Sequence, residues 1–440
     1  MQPPGEASPT RGQPSPQRAT RASAAARAAA ARPAAAARVD LTIVGAGIAG
    51  LWLRAVLHHA GFRVLLMERD CLGGEQTLAS QGIVHGGLKY ALGAALTRAS
   101  EAAAAMPSRW RRLCREGGVP DLRAVPMLSD CVHLFADAGL EGRLVSFFAS
   151  RALQGRVERL PPSGLPHWLQ GPRGEGTGFR GQAYRLDDFV LDVEALIDVL
   201  AAADAGPVVH GELTAITQGN AALGLDLRPG RETAGPASTL HVDSQRLLLC
   251  AGAGNEALLA LAGQDAPAMQ RRPLHQAWAH AASLPAVYAH CITGTRSAEP
   301  RLTITTRRTP TGTCWSLGGA IATQGTHRDA AAQAEFARAE LAACLPWLDL
   351  PPLRIETRMV DRAEPRTDGG NRPDHAFLHQ HAGILTCWPT KLTLAPDLGD
   401  RVLAALAADG LRPRADADDD ALRGLRPPSR PADNATEAHA

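Results

Sequence analysis

Three glycines and a downstream acid have the types and spacing needed to hold a dinucleotide. Gly45, Gly47 and Gly50 form the pattern G-x-G-x-x-G directly after a short apolar run, Leu41 to Val44. In such a turn the first glycine permits a tight bend, the second lets the backbone approach a pyrophosphate, and the third lets helix and strand pack closely. The helix that follows offers free N–H groups and a partial positive charge to the phosphates.

The segment after this pattern completes a strand–helix–strand unit. Apolar residues from Leu51 to Leu57 predict a helix that ends at Gly61, and Val64 to Met67 predicts a second buried strand. Glu68 stands at the end of that strand, where a carboxylate accepts hydrogen bonds from ribose hydroxyls. Because a 2′-phosphate would meet like charge there, the unit predicts FAD or NAD rather than NADP.

Later glycine-rich segments favour FAD over NAD. FAD is long, and a second close approach of the backbone to its ribityl chain and ring needs small residues. Three segments supply them or continue the pattern: Thr77 to Leu92, Leu247 to Asn255, and Cys387 to Leu406, which reads as a loop leading into a helix. Taken alone, the second and third segments are explained equally well as ordinary connections between a strand and a helix. They favour FAD only because they occur together with the first motif. NAD-dependent dehydrogenation stays as a weaker alternative.

Three of these motifs resemble one family. The pattern at Gly45–Gly50, the H-G-G-L-x-Y run at His85–Tyr90 and the K-L-T run at Lys391–Thr393 are similar to those of D-amino-acid-oxidase-type flavoproteins. Within that family the resemblance is to FAD-dependent glycerol-3-phosphate dehydrogenases and L-2-hydroxyglutarate oxidases. It implies an α/β fold with a Rossmann-like FAD-binding domain and a discontinuous α+β substrate domain.

The resemblance also implies a set of cofactor contacts. Gly45, Gly47, Gly50 and Glu68 would hold the ADP half of FAD, and Gly252 and Gly254 would pack against the cofactor. The residues expected near the ribityl chain and ring are Ser80, Gln81, Gly86 and Gly87. Those expected at the pyrimidine edge of the flavin are Thr390, Lys391, Leu392 and Thr393.

One stretch departs from the family pattern. The family often carries an arginine in an R-P-x-T-x-D-G-like run, whereas the run here is DRAEPRTDGG, with Glu364 in the arginine's place. Arg362 and Arg366 flank it and could fork onto a substrate carboxylate or phosphate. A solvated turn explains these two arginines equally well.

His85 and Lys391 are the candidate catalytic residues. Histidine titrates near neutral pH, so His85 could take a proton from the substrate or contact it; hydrogen bonding to backbone or flavin is the alternative. Lys391 precedes a predicted helix, and its ammonium with the helix N-terminus could stabilise an anionic reduced flavin. A surface lysine is the alternative there.

Composition narrows the class of protein. The 440 residues carry a formal net charge of +2, with 45% hydrophobic and 20% charged residues, so nucleic-acid binding is not expected. No stretch approaches 18 apolar residues, so we expect no membrane span and a cytoplasmic protein, with peripheral membrane contact left open. The eight cysteines show neither C-x-x-C nor zinc-ligand spacing, which predicts free thiols and no metal.

The segments divide into the following predicted domains. Residues 39–105, 181–270 and 356–412 form the FAD-binding domain, and residues 106–180 and 271–355 form the substrate domain. The polar or proline-bearing ends, 1–38 and 413–440, are expected to be disordered. A transit peptide is the alternative for the N-terminal segment.

The sequence therefore predicts an FAD-dependent oxidoreductase. It would oxidise a small hydroxy acid, polyol phosphate or amine by hydride transfer to flavin, with an electron acceptor that the sequence does not specify. The alternative is a flavin-loaded interaction module that turns over no substrate.

Overall fold

The computed structural model describes most of the chain between the two ends. The described residues are 37–86, 98–137, 157–171, 178–219, 221–230, 239–292, 299–370, 373, 375–423 and 425–430. The predicted N-terminal extension, apart from residues 37 and 38, lies outside them, as does Gly87 of the predicted flavin contacts.

A seven-stranded sheet carries the predicted dinucleotide unit. Its strands, in the order in which they pair, are β1 (Ala37–Val44), β2 (Val64–Glu68), β9 (Val208–Gln218), β10 (Leu223–Pro229), β11 (Leu240–Leu249), β18 (Ile384–Trp388) and β17 (Phe377–His381), with β1 also pairing with β11. The pairs β1–β2, β1–β11, β2–β9 and β11–β18 are parallel. Parallel neighbours buried on both faces suit the apolar runs read from the sequence.

An eight-stranded sheet forms the second layer. In pairing order it contains β16 (Arg354–Pro365), β12 (Met269–Ala281), β15 (Gly312–Gly318), β14 (Leu302–Thr309), β13 (Ala289–Cys291), β5 (Val132–Asp137), β7 (Gly181–Leu186) and β6 (Val157–Arg159). A turn around Pro310–Gly312 joins β14 to β15 as an antiparallel hairpin. A small sheet of β3 (Ile83–Val84), β8 (Phe189–Leu191) and β4 (Met127–Ser129) lies among the segments that connect the two large sheets.

Helices cover the sheets. They are α1 (Ile48–His59), α2 (Arg98–Glu116), α3 (His167–Gln170), α4 (Val193–Ala202), α5 (Asn255–Leu261), α6 (Ala320–Gln324), α7 (Ala330–Cys344), α8 (Ala395–Ala408) and α9 (Asp420–Arg423). Helix α1 packs in one core with α2, α4 and α8, and Trp52 of α1 lies against Trp110 of α2 with ring centroids 4.9 Å apart. A second core, under the eight-stranded sheet, includes Trp315 and residues of α7.

The α/β fold with an FAD-type domain and a substrate domain is confirmed, and three segments pair or pack with elements outside the domain to which they were assigned. Strand β7, assigned to the FAD-binding domain, pairs with β5 in the eight-stranded sheet, and β16 pairs with β12 there too. Most of α2, assigned to the substrate domain, packs through Trp110 into the core around α1. Strand pairing and apolar burial, which link distant segments, decide these boundaries.

The expected disorder of residues 413–440 is corrected for the part that the structure describes. Arg38 and Asp418 exchange two backbone hydrogen bonds of 2.6 and 2.7 Å, and Leu422 is fully buried. The N-terminal boundary shifts as well, because β1 begins at Ala37. Polar composition hid this docking because it is made largely by backbone groups and ion pairs, with few apolar side chains.

Two smaller expectations concern cysteines and membranes. All eight cysteines are free thiols, and six of them are buried, as predicted. No helix among the described residues is long and apolar enough to cross a bilayer.

Candidate flavin and substrate site

The glycine turn after β1 is enforced by backbone contacts. Gly45 has φ +106°, and a Cβ atom there would lie 2.6 Å from the carbonyl oxygen of Cys250. A Cβ at Gly50 would lie 1.9 Å from the carbonyl oxygen of Gly45. Both distances are far below van der Waals contact, so helix α1 approaches the turn as closely as the sequence pattern predicts.

The N-terminus of α1 is open toward a ligand. Gly47 is the N-cap residue and offers no side chain to the helix, while Thr77 Oγ1 accepts a hydrogen bond from the Ile48 N–H at 3.2 Å. Unpaired N–H groups at the start of a helix bind phosphate oxygens well. Gly47 therefore leaves room for a pyrophosphate at this end of the helix.

Glu68 lies beside the same turn. Its Oε2 accepts the Ala46 N–H at 2.7 Å, and its Oε1 accepts the Asp70 N–H at 2.8 Å. The carboxylate is half-buried and stays fixed at the end of β2. A carboxylate has further lone pairs beyond these two bonds, so it can also accept hydrogen bonds from ribose hydroxyls.

Ser80 and Gln81 continue the path away from this turn. Among the described side chains, Ser80 Oγ is buried without a hydrogen-bond partner, which a polar ligand would satisfy. Gln81 Nε2 donates to the carbonyl oxygens of Thr303 at 3.1 Å and Ser316 at 2.9 Å. Gln81 thus joins the predicted flavin segment to the eight-stranded sheet.

The predicted pyrimidine-edge segment meets the end of β3. Thr393 is buried, and its Oγ1 accepts the His85 N–H at 3.2 Å, while its carbonyl accepts Trp110 Nε1–H at 2.9 Å. Lys391 is buried, with 7% of its surface exposed, which excludes the surface-lysine alternative. It is one of only two lysines in the chain, the other being Lys89.

The remaining predicted cofactor positions lie in two turns. Thr390 has φ +60°, and its Oγ1 donates to the His375 carbonyl at 3.0 Å, while Leu392 starts the short turn that contains Thr393. Gly252, with φ +57°, and Gly254 form a turn after β11. The Gly252 carbonyl accepts Trp388 Nε1–H at 3.2 Å, which ties this turn to β18.

His85 belongs to a cluster that joins three distant segments. Its Nδ1 lies 3.4 Å from Asp188 Oδ2, and its ring stacks on that of His290 with centroids 6.2 Å apart. The Gly86 N–H donates to Asp188 Oδ1 at 2.7 Å. His290 Nδ1 lies 2.8 Å from Thr303 Oγ1 on the neighbouring strand. The cluster therefore spans β3, the turn between β7 and β8, and β13.

Asp188 is the charged member of this cluster. Burial opposes ionisation of its carboxyl group, but the hydrogen bond and charge of His85, the Gly86 N–H and the nearby His290 outweigh burial and hold the pKa of Asp188 below its usual value. A buried carboxylate in contact with an imidazole fixes the ring's orientation and favours its protonated form. The cluster is thus suited to accept a proton at histidine.

The cluster also has the composition of a metal site. The ligand atoms of His85, Asp188 and His290 lie within 4.8 Å of one another. However, Asp188 Oδ1 accepts the Gly86 N–H and His290 Nδ1 is paired with Thr303. These bonds orient the three groups toward one another without an ion, and we interpret them as a proton-handling group.

The eight-stranded sheet is polar where it meets this cluster. His290 pairs with Thr303. The backbone carbonyls of Thr303 and Ser316 both accept hydrogen bonds from Gln81 Nε2. Gln276 Nε2 donates to Ser316 Oγ at 3.2 Å. These groups are hydrogen-bonded, and Gln276, His290, Thr303 and Ser316 are also buried.

The arginines proposed for substrate binding take different positions. Arg362 lies on β16, and its Nε donates to the Arg272 carbonyl at 3.2 Å, whereas Arg366 is exposed beyond the strand's end. Glu364 is buried, with its Oε1 2.6 Å from Arg272 Nε and 3.0 Å from Gln270 Nε2. The acid in the arginine's place is therefore neutralised by Arg272, and the substrate role of Arg362 and Arg366 stays a prediction.

Sequence reasoning missed two members of the cluster, Asp188 and His290. Asp188 follows another aspartate in a turn, and His290 stands alone on a three-residue strand, so neither belongs to a recognisable motif. The polarity of an otherwise apolar strand was the one available signal for His290. Only the pairing of β13 with β14 and the position of β8 beside β3 bring them to His85.

Comparison with known proteins agrees with this geometry. Residues 40–403 match the family model described as FAD dependent oxidoreductase. The chain is 48% identical over 377 residues, 85% of its length and 92% of the relative's, to a Pseudomonas aeruginosa protein named "Probable FAD-dependent oxidoreductase PA4991". The crystal structure of PA4991 has a TM-score of 0.73 and 42% identity, covering 91% of this chain and 97% of that one.

More distant structures share the fold. Glycine oxidase from Geobacillus kaustophilus has a TM-score of 0.59 at 17% identity, covering 89% of this chain and 99% of that chain. L-alpha-glycerophosphate oxidase from Mycoplasma pneumoniae, solved with FAD bound, has a TM-score of 0.58 at 13% identity, covering 89% and 98%. The glycine turn, the open helix N-terminus and the orphaned Ser80 hydroxyl fit FAD, and the chain belongs to the family of FAD-dependent oxidoreductases.

Proposed function

We propose that this protein oxidises a small substrate at a CH–OH or CH–NH carbon, with His85 as the group that accepts the substrate's proton. The cluster of His85, Asp188 and His290 carries the proposal, because it lies between the predicted flavin segments and the polar face of the eight-stranded sheet. The substrate would be an amine or amino acid, a polyol phosphate or a hydroxy acid.

Each residue of the cluster has a separate role in this proposal. His85 takes the proton from the substrate's hydroxyl or amine as the C–H bond breaks. Asp188 acts as a positioning residue, because its carboxylate orients the imidazole and stabilises the imidazolium that forms. His290, paired with Thr303, would support the His85 ring by stacking against it.

Cofactor chemistry completes the reaction. FAD, when bound, accepts the hydride from the substrate carbon. Lys391 is buried just before helix α8, where its ammonium and the helix N-terminus would stabilise negative charge on the reduced cofactor. Gln81 and Thr393 hold the flavin segments against the substrate sheet and the end of β3.

A flavin-loaded module without turnover is the second function to weigh. Such a module needs a bound cofactor but no oriented proton acceptor. The buried Asp188 carboxylate instead lies against the partly exposed imidazole of His85 and orients it, an arrangement more often found at sites of chemistry. We therefore favour the enzyme over the module.

Anaerobic reduction by candidate substrates tests the proposal. Purified protein loaded with FAD would be mixed without oxygen with glycine, L-proline, iminodiacetate, α-glycerophosphate and L-2-hydroxyglutarate in turn. Loss of the oxidised-flavin absorbance with one of these supports oxidation and identifies the substrate class. No loss with any of them, in protein whose flavin dithionite still reduces, favours the interaction module.

A further inference from the structure

The chain's described C-terminal residues form a strap across the FAD-type sheet. We define the C-terminal strap as residues 413–423 and 425–430. Its first half is anchored at the start of β1 and β2, where Arg38 pairs with Asp418 and Arg63 Nη1 lies 2.9 Å from Asp419 Oδ1. Leu422 is buried in the core that lies under β1, β9 and β11.

The second half of the strap reaches the loop that follows Glu68. The Ser429 carbonyl accepts the Leu72 N–H at 3.0 Å, and Arg430 forms an ion pair with Asp198 of helix α4. The Arg426 carbonyl accepts the His210 N–H at 2.9 Å. The bond from Leu72 lies in the Arg69–Gly73 loop, and the bond from His210 lies on strand β9.

That loop is in turn bound to the predicted phosphate and ribose positions. The Gly73 N–H donates to the Ala46 carbonyl at 2.9 Å, and the Ala46 N–H donates to Glu68 Oε2 at 2.7 Å. His210 Nε2 lies 2.9 Å from the Arg69 carbonyl oxygen. The strap, the loop, Glu68 and the glycine turn therefore form one connected set of hydrogen bonds.

The strap is bound to the rest of the protein through backbone hydrogen bonds, ion pairs and the buried Leu422 side chain. A cavity of about 890 Å³ separates its middle from the N-terminal edge of the sheet, and Arg63, Asp204 and Leu425 are among the residues that line it. A segment that buries few apolar side chains undocks more readily than a packed helix. Its contacts near Leu72 thus depend on a small number of hydrogen bonds.

We propose that the C-terminal strap retains FAD by holding the Arg69–Gly73 loop against the adenosine end of the cofactor. With the strap docked, Glu68 and Ala46 are fixed in the arrangement that receives the ribose and pyrophosphate. With it undocked, the loop loses the hydrogen bond from Leu72 to Ser429 and is held less firmly, so FAD affinity falls. Because coupling between two binding events is reciprocal, bound FAD must also hold the strap in place.

Hydrogen exchange on the full-length protein, with and without FAD, tests this coupling directly. We expect the amides of Leu72 and His210, and the peptide that spans 425–430, to exchange about tenfold more slowly with FAD bound, which corresponds to about 1.4 kcal/mol. Equal exchange in the two forms would overturn the proposal.

A pair of shortened chains provides an independent check. One ends after Leu425 and loses the Arg426 and Ser429 carbonyls but keeps Leu422 and the Arg63–Asp419 pair; the control ends after Arg430. We expect the Kd for FAD, measured by flavin fluorescence, to rise about tenfold in the first chain alone. Equal Kd values, with equal melting of the two apoproteins, would show that the strap has no part in FAD retention.

Discussion

The Nδ1 of His85 and the Oδ2 of Asp188 lie 3.4 Å apart, although 102 residues lie between them in the sequence. The second carboxylate oxygen, Oδ1, accepts the Gly86 N–H, so the residue after His85 aligns the acid with the imidazole. Asp188 is almost completely buried, while His85 remains partly exposed. A fixed buried acid behind a partly exposed imidazole is the arrangement expected of an oriented proton acceptor.

Substitution Asp188→Asn tests the positioning role. We expect kcat/KM to fall on the order of 10²-fold, and the acid limb of its pH profile to move to lower pH, because the lost negative charge no longer favours the imidazolium. The pH profile separates this role from simple loss of stability. Asp187→Asn is the matched control, since Asp187 is exposed and pairs with Arg111; an unmoved profile in Asp188→Asn would contradict the role.

Two substitutions in the glycine turn are expected to have different effects, one on the stability of the apoprotein and one on FAD binding. Gly50→Ala places a Cβ 1.9 Å from the Gly45 carbonyl, so we expect the apoprotein to lose about 2 kcal/mol or more and to melt several degrees lower. Gly47→Ala meets only Thr77 Oγ1 at 3.1 Å and keeps an ordinary φ. It should raise the Kd for FAD about tenfold while apoprotein melting changes little; unchanged FAD binding would refute the pyrophosphate role of Gly47.

Lys391 is expected to set the reduction potential of the bound flavin. Lys391→Met removes a buried positive charge beside the predicted pyrimidine edge, so the midpoint potential should fall by about 30 mV or more, equivalent to about 1.4 kcal/mol for two electrons. Lys391→Arg keeps the charge and should restore most of the potential. Spectroelectrochemistry that finds the same potential in all three proteins would remove Lys391 from the flavin's environment.

The stability of the fold should decrease in mild acid partly through His133. Burial lowers the pKa of His133, and this outweighs the hydrogen bond with the Tyr288 backbone. The pKa of histidine in the unfolded chain is about 6.5, so the unfolded chain takes up the proton first as the pH falls. The free energy of unfolding therefore decreases as the pH drops from about 6.5 through the lower pKa of the folded state. Below that folded pKa this loss is complete.

Thermal melting of His133→Asn checks this sign. The decrease in Tm between about pH 7.5 and about pH 5.5 should be smaller in the variant than in the wild type, whatever the variant's absolute stability. An equal decrease in both proteins would assign the acid sensitivity to other groups. His280 is one such group, because burial lowers its pKa as well.

The parts of the molecule that the sequence predicted are those whose signals are local. The turn at Gly45–Gly50 with its flanking strands and helix lies within one short stretch of the sequence. His85 was found because it belongs to a glycine-rich run. Patterns of this kind can be recognised from neighbouring residues alone, without knowledge of the rest of the chain.

The parts that sequence reasoning missed depend on distant pairing. His290 reaches His85 only because β13 pairs with β14 in the sheet that Gln81 contacts. The strap was misjudged for a related reason: its docking uses the backbone carbonyls of Arg426 and Ser429, which any sequence has. Composition reports the apolar surface that a segment can bury, not the hydrogen bonds that its backbone can make.

The most direct test of the account compares the anaerobic rate of flavin reduction in wild type and His85→Asn, with the substrate found in the panel at saturation. The account predicts a rate at least about 10²-fold lower in His85→Asn, with FAD still bound, and little change in His275→Asn, whose buried imidazole is bonded to the Gly325 carbonyl instead. An unchanged rate in His85→Asn would show that the proton leaves the substrate by another route and would contradict the proposed site.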